Sequence, residues 1–74
     1  MDSVLTKEEF QKEFVALVHE FDLTERQTAD LLECAVGQVS RWYYGHTAPA
    51  APARRQLLQT LRDAATARSR SRVA

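Results

Sequence analysis

The chain has 74 residues with ten acidic and ten basic side chains, so its formal net charge is zero. This length suits one small domain, and a hydrophobic fraction of 45% is ordinary for a globular fold and argues against wholesale disorder. No apolar run approaches the roughly 20 residues that span a bilayer, and the acidic, polar start does not resemble a secretory signal, so we expect a cytoplasmic protein without a membrane segment.

Helix 1 is predicted over residues 7–21. Thr6 followed three positions later by Glu9 is a capping-box pattern, which marks a helix start. Apolar side chains then recur at helical spacing and form one stripe that should face the core. The stripe consists of Phe10, Phe14, Leu17, Val18 and Phe21. His19 lies between stripe positions, so we expect it to be exposed and to have no metal-binding or catalytic role.

Helix 2 is predicted to begin after Leu23, because Thr24 and Gln27 repeat the capping-box spacing. Ala29 and Leu32 should face inward, and residues 33–35 should form a tight turn. Cys34 is the single cysteine, so it cannot close an internal disulfide. We expect it to pack as a small apolar residue at the corner between the two helices.

Helix 3 is predicted over residues 35–44 and is closed by Gly45, a natural helix stop. At about 100° per residue this helix divides into two faces. The face expected to pack on helices 1 and 2 contains Ala35, Val39, Trp42 and Tyr43. The face expected to point outward contains Gly37, Ser40, Arg41 and Tyr44, flanked by Val36 and Gln38.

Residues 46–52 should form a loop, and Pro52 suits the first position of helix 4. Helix 4 is predicted to reach residue 67, with packing positions at Leu57, Leu58, Leu61 and Ala65. Residues 68–74 form a basic tail that we expect to be disordered. No strand-like alternation occurs, so the sequence predicts an all-α bundle of four to five helices with a helix-turn-helix, over residues 1–67.

The zero net charge conceals a division of the chain. Residues 1–33 carry nine acidic and three basic side chains, or −6, whereas residues 34–74 carry seven arginines and one aspartate, or +6. This division favours a polyanionic partner on one side of the molecule. The alternative is that folding mixes the two charge sets.

The outward face of helix 3 has the chemistry of a DNA major-groove reader. Gln38 can pair with adenine, and Arg41 with guanine, through two hydrogen bonds each. Val36 can touch a thymine methyl group, and Gly37 lets a backbone come close. The hydroxyl groups available for phosphates or bases belong to Ser40 and Tyr44. The alternative is an ordinary solvated helix face.

At residues 23–45 the chain resembles the Cro/C1-type (Xre-like) helix-turn-helix regulators, whose fold is lambda-repressor-like. The coinciding residues are Leu23, Thr24, Ala29, Leu32, Val39, Ser40, Arg41, Trp42 and Gly45, with Pro49 where a downstream proline is common. The resemblance implies a small phage or bacterial repressor or autoregulator. It would bind double-stranded DNA as a homodimer on an inverted-repeat operator, leaving the acidic outer face of helix 1 free for a protein partner.

The sequence also departs from that family. Glu25 replaces a glutamine that usually touches a phosphate, so Arg26 or Gln27 is expected to take that role. Glu33 replaces the glycine of the turn. In the resembling fold the start of helix 4 lies near the DNA backbone, which makes Arg54 and Arg55 candidate phosphate contacts.

Two other functions remain open from the sequence. The same scaffold can be a protein-interaction module, such as an antitoxin or adaptor, in which Glu25 has weakened DNA binding. The basic tail can alternatively bind RNA. An enzyme is not expected, because no catalytic constellation, phosphate-cradling glycine loop or metal-ligand spacing occurs, and no cofactor is expected either.

Overall fold

A computed structural model describes residues 4–71, which form four α-helices and no strand. The helices are α1 (Lys7–Glu20), α2 (Glu25–Leu32), α3 (Val36–Tyr43) and α4 (Arg54–Ser71), and a short 3-10 turn, Ala51–Ala53, precedes α4. α2 and α3 pack on each other, and α4 packs against both α1 and α2. The predicted all-α bundle is confirmed.

Both predicted capping boxes are present. In α1, the backbone N–H of Glu9 donates to Thr6 Oγ1 (3.1 Å) and the backbone N–H of Thr6 donates to the Glu9 carboxylate (2.9 Å). Thr24 and Gln27 form the equivalent pair at the start of α2. The hydrogen bond from the Thr6 backbone holds the pKa of Glu9 below its ordinary value, because it favours the charged carboxylate.

The core is built around three aromatic rings. Phe10 and Phe14 of α1 are fully buried and stack with ring centroids 5.5 Å apart. The indole of Trp42 meets both rings edge-on, at 6.1 and 6.0 Å. Because Trp42 belongs to α3, this cluster fixes α3 against α1, and Val39 is buried beside it in the same core.

Helix ends differ from the prediction at several points. Phe21 caps α1 and is half-buried, and Ala35 caps α3 at an exposed position instead of packing inward. Pro52 lies in the 3-10 turn, so α4 begins two residues later than expected. As predicted, Leu58, Leu61 and Ala65 of α4 are buried.

α4 extends four residues beyond its predicted end at residue 67 and reaches Ser71. α4 continues through Arg68 and Arg70, which lie in its last turn. Positive side chains are stabilising there because the C-terminal end of a helix carries partial negative charge. The preceding Ala64, Ala65 and Ala67 also favour the helix, because alanine has the highest helix propensity. Arg72 lies outside the described residues.

Trp42→Ala should lower the free energy of unfolding by about 3–5 kcal/mol, because it removes the buried ring that packs against both Phe10 and Phe14. Trp42→Phe keeps an aromatic ring and should cost clearly less. Urea denaturation followed by far-ultraviolet circular dichroism measures both variants. Equal midpoints for Trp42→Ala and the unchanged protein would contradict this assignment.

Candidate nucleic-acid interface

α2 and α3 are joined by a tight turn at residues 33–35. Glu33 adopts the left-handed conformation (φ 57°, ψ 47°), and the backbone N–H of Cys34 donates to the carbonyl of Ala29 at 3.0 Å. A non-glycine residue in this conformation costs roughly 1 kcal/mol, so the turn forms at this cost without a glycine. Cys34 is half-buried against the core as expected, and burial raises the pKa of its thiol.

The structure places the outward face of α3 largely as predicted. Gly37, Arg41 and Tyr44 are exposed, whereas Gln38 and Ser40 are half-buried. Two apolar side chains also reach solvent on α3 and its C-cap, with Val36 38% and Tyr44 60% exposed. On the opposite face Val39 and Trp42 are buried and Tyr43 is half-buried.

Gly37 lies in open space. Apart from its chain neighbours and the backbone of its own helix, a Cβ atom added at this position would have no heavy atom of the described residues within 4 Å. Glycine inside a helix is less favourable than alanine by about 0.5–1 kcal/mol. The packing of residues 4–71 therefore gives no reason for a glycine at this position.

The C-terminal end of α3 is held by α1. Gln11 Nε2 donates to the backbone carbonyl of Tyr43 at 3.0 Å, and Tyr43 Oη lies 3.0 Å from His19 Nε2. Gly45 has a φ of +81°, and a Cβ atom there would approach Gln11 Oε1 to 2.8 Å. The positive φ at position 45 favours glycine, and a larger residue would also have to displace the end of the Gln11 side chain. Sequence reasoning did not single out Gln11, and no local pattern marks it.

The ring of Tyr44 packs against its neighbour in the chain, Tyr43. It contacts the ring of Tyr43 edge-on, with centroids 5.0 Å apart. The hydroxyl of Tyr43 contacts His19 of α1. The exposed ring of Tyr44 therefore packs on a side chain that α1 holds in place.

At the start of α2, Arg26 is exposed and Gln27 is half-buried. The side-chain oxygen of Gln27 accepts from the backbone N–H of Thr24 (2.9 Å). Its side-chain nitrogen remains a donor, so the capping box leaves the phosphate-contacting chemistry of Gln27 intact. Glu25 lies beside these two residues and is half-buried.

Arg54 has a structural contact that the sequence did not predict. Its side chain is half-buried, Nε donates to the carbonyl of Pro49 (2.9 Å), and Nη1 donates to the carbonyl of Leu5 (2.8 Å). The guanidinium joins the start of α4 to the loop before it and to the segment before α1. Arg55 is exposed on the side of α4 that faces α1. The hydrogen bonds with Thr6 lower the pKa of Glu9 most, and the positive charge of Arg55 lowers it further.

The fold mixes the two charge sets of the sequence. Arg62 of α4 lies 3.6 Å from Glu20 of α1, and Arg55 lies near Glu9. Residues 23–45 themselves carry three acidic and two basic side chains, a net charge of −1. They are Glu25, Asp30 and Glu33 against Arg26 and Arg41. The division of charge along the chain is therefore not a division between two sides of the molecule.

No protein-family model, curated protein or solved structure matches this chain. Within residues 4–71 no helix is both long and apolar enough to cross a bilayer. The same residues contain no group of three potential metal ligands.

Arg54→Ala should lower the free energy of unfolding by about 1–3 kcal/mol, because it removes two charge-assisted hydrogen bonds to backbone carbonyls. Arg41→Ala is the matched control: it removes an exposed arginine and should change stability by less than about 0.5 kcal/mol. Thermal denaturation compares the two variants. An Arg54→Ala protein as stable as Arg41→Ala would refute the structural role of Arg54.

Proposed function

We propose that this protein is a sequence-specific DNA-binding regulator that reads the major groove with α3. In this proposal it is a small phage or bacterial repressor or autoregulator of the Cro/C1-type family, acting in the cytoplasm as a homodimer on an inverted repeat. The observation that carries the proposal is the open space around Gly37 on the same helix face as the exposed Arg41.

The four outward residues of the sequence prediction form one helix face. Gly37, Ser40, Arg41 and Tyr44 are spaced at i, i+3, i+4 and i+7, the spacing that puts side chains on one side of a helix. Gly37 weakens the helix, and the packing of residues 4–71 gives no reason for it. A surface that approaches α3 from outside supplies such a reason, and a DNA groove is wide enough to admit a helix.

Each polar residue has a role in this arrangement. Arg41 pairs with guanine, and Gln38 pairs with adenine. Arg26 and the free amide hydrogens of Gln27 reach a phosphate at the start of α2, where helix N–H groups also favour anions. Ser40 and Tyr44 supply hydroxyls, and Val36 supplies an apolar contact for a thymine methyl group.

Selection of bound duplexes from a random pool tests the proposal directly, and a palindromic consensus is the expected result. On the selected sequence, Arg41→Ala should cost about 1–3 kcal/mol of binding free energy and relax the preference at one base pair. Arg41→Lys keeps the charge but loses the bidentate geometry, so it should recover general affinity without the preference. If Arg41→Ala weakens selected and scrambled duplexes equally, Arg41 contacts only phosphate.

Gly37→Ala should shift stability and binding in opposite directions. The free energy of unfolding should rise by up to about 1 kcal/mol, because alanine is the better helix former and has free space here. DNA affinity should fall by about tenfold or more, because the methyl group occupies the space of the approaching duplex. Thr60→Ala, an exposed substitution on α4, is the control and should leave affinity unchanged. Unaltered affinity of Gly37→Ala would count against groove binding at this face.

A protein-interaction module, such as an antitoxin or adaptor, is the second candidate. The net charge of −1 over residues 23–45 and the acidic Glu25 at the start of α2 favour it. The dependence of DNA affinity on salt separates the two functions, since a DNA reader loses affinity steeply as salt rises. Failure to retain any duplex at low salt would favour the protein-interaction module.

A further inference from the structure

α1 and α4 enclose a groove of about 300 Å³ on a part of the surface that is distinct from α3. The two helices run in the same direction, because Arg54 at the start of α4 binds the carbonyl of Leu5 just before α1, whereas Arg62 lies beside Glu20 at the end of α1. The lining residues all belong to α1 and α4. This α1–α4 groove is therefore separate from the candidate nucleic-acid interface.

The groove has one acidic and one basic wall. Glu13 and Glu20 of α1 line the first wall, and Arg55 and Arg62 of α4 line the second. Within each wall the two charges are seven residues apart, or about 10 Å along the helix axis. All four side chains are exposed; those of Arg62 and Glu20 are 50% and 52% exposed. The walls thus carry opposite charges at the same spacing.

We propose that the α1–α4 groove binds a second copy of this chain. A two-fold axis that runs along the groove places the acidic wall of each copy over the basic wall of the other. Glu13 then faces Arg55 of the second copy, Glu20 faces Arg62 of the second copy, and the reverse contacts form by symmetry. A two-fold axis across the groove would place acidic wall on acidic wall, so the charges select the first arrangement.

The centre of the groove suits close approach. Exposed Ala16 lies between Glu13 and Glu20 and carries only a methyl group, above the buried side chains of Leu17 and Leu58. The contact between Arg62 and Glu20 within one chain is compatible with a second copy, because a guanidinium has several N–H donors and can bridge two carboxylates. This dimer involves no residue of α2 or α3, so it can be tested without DNA and independently of the proposed function.

Charge reversal with rescue between chains is the decisive experiment. One variant carries Glu13→Arg and Glu20→Arg, and the other carries Arg55→Glu and Arg62→Glu. Each alone has two walls of like charge, so its homodimer dissociation constant should rise at least about tenfold over that of the unchanged full chain in sedimentation equilibrium. An equimolar mixture should form a heterodimer, because an all-basic groove then meets an all-acidic one. A merely structural role of these residues gives no such rescue.

Circular dichroism confirms that each variant is folded, because each reversal also removes contacts between α1 and α4 of the same chain. If a reversed variant does not fold, the milder pair Glu13→Gln and Glu20→Gln is used, together with the salt dependence of the unchanged protein. Weaker dimerisation of the neutralised variant and of the unchanged protein at high salt is then expected.

Three results would overturn the proposal. They are an unchanged protein that stays monomeric at every concentration, folded reversal or neutralised variants that dimerise as well as the unchanged chain, and reversal variants that do not combine. An unchanged protein that stays monomeric but still binds a single DNA half-site would reject the groove and keep the DNA-binding proposal. A confirmed dimer without DNA affinity would keep the groove and reject the DNA-binding proposal.

Discussion

The position of α3 depends on the packing of one indole ring against two stacked phenylalanines. α3 has only eight residues and its N-cap, Ala35, makes no side-chain capping bond, so it would not be stable as an isolated helix. The contact of Trp42 with Phe10 and Phe14 fixes the last turn of α3 on α1, and the hydrogen bond from Gln11 to the carbonyl of Tyr43 holds the same end. The direction in which the outward face points is thus determined by α1. The indole N–H finds no acceptor among the described residues, so Trp42 holds α3 through ring packing.

The distribution of charge explains how the two proposals fit together. α2 and α3 themselves carry few positive groups. The arginines of α4 add little, because Arg55 and Arg62 lie against the acidic residues of α1 and Arg54 binds backbone carbonyls. A single copy of the chain would therefore make few phosphate contacts and bind DNA weakly. In a dimer, the binding of the second copy to DNA would become intramolecular once the first copy is bound. The overall DNA affinity would then rise although each copy makes the same contacts. Dimerisation through the α1–α4 groove would then strengthen DNA binding.

Local patterns in the sequence were sufficient for the helices and their faces. The capping boxes at Thr6 and Thr24 and the periodic burial of α1 and α3 depend on residues within a few positions of each other. What the sequence did not reveal depends on residues far apart in the chain. Arg54 binds a carbonyl 49 residues away and Gln11 one 32 residues away. The mixing of charges likewise follows from the parallel packing of α1 and α4, which no local spacing encodes.

The capping box of α1 contains a carboxylate and that of α2 an amide, so the two helix starts respond differently to acid. Glu9 has a lowered pKa, so its contribution to stability is complete above the pKa of the unfolded chain and is lost as the pH falls through the lower pKa of the folded state. Gln27 makes the same bond with an amide, which gains no proton over that range. Acidification therefore weakens the capping box of α1, the helix that supports α3, and leaves the capping box of α2 unchanged.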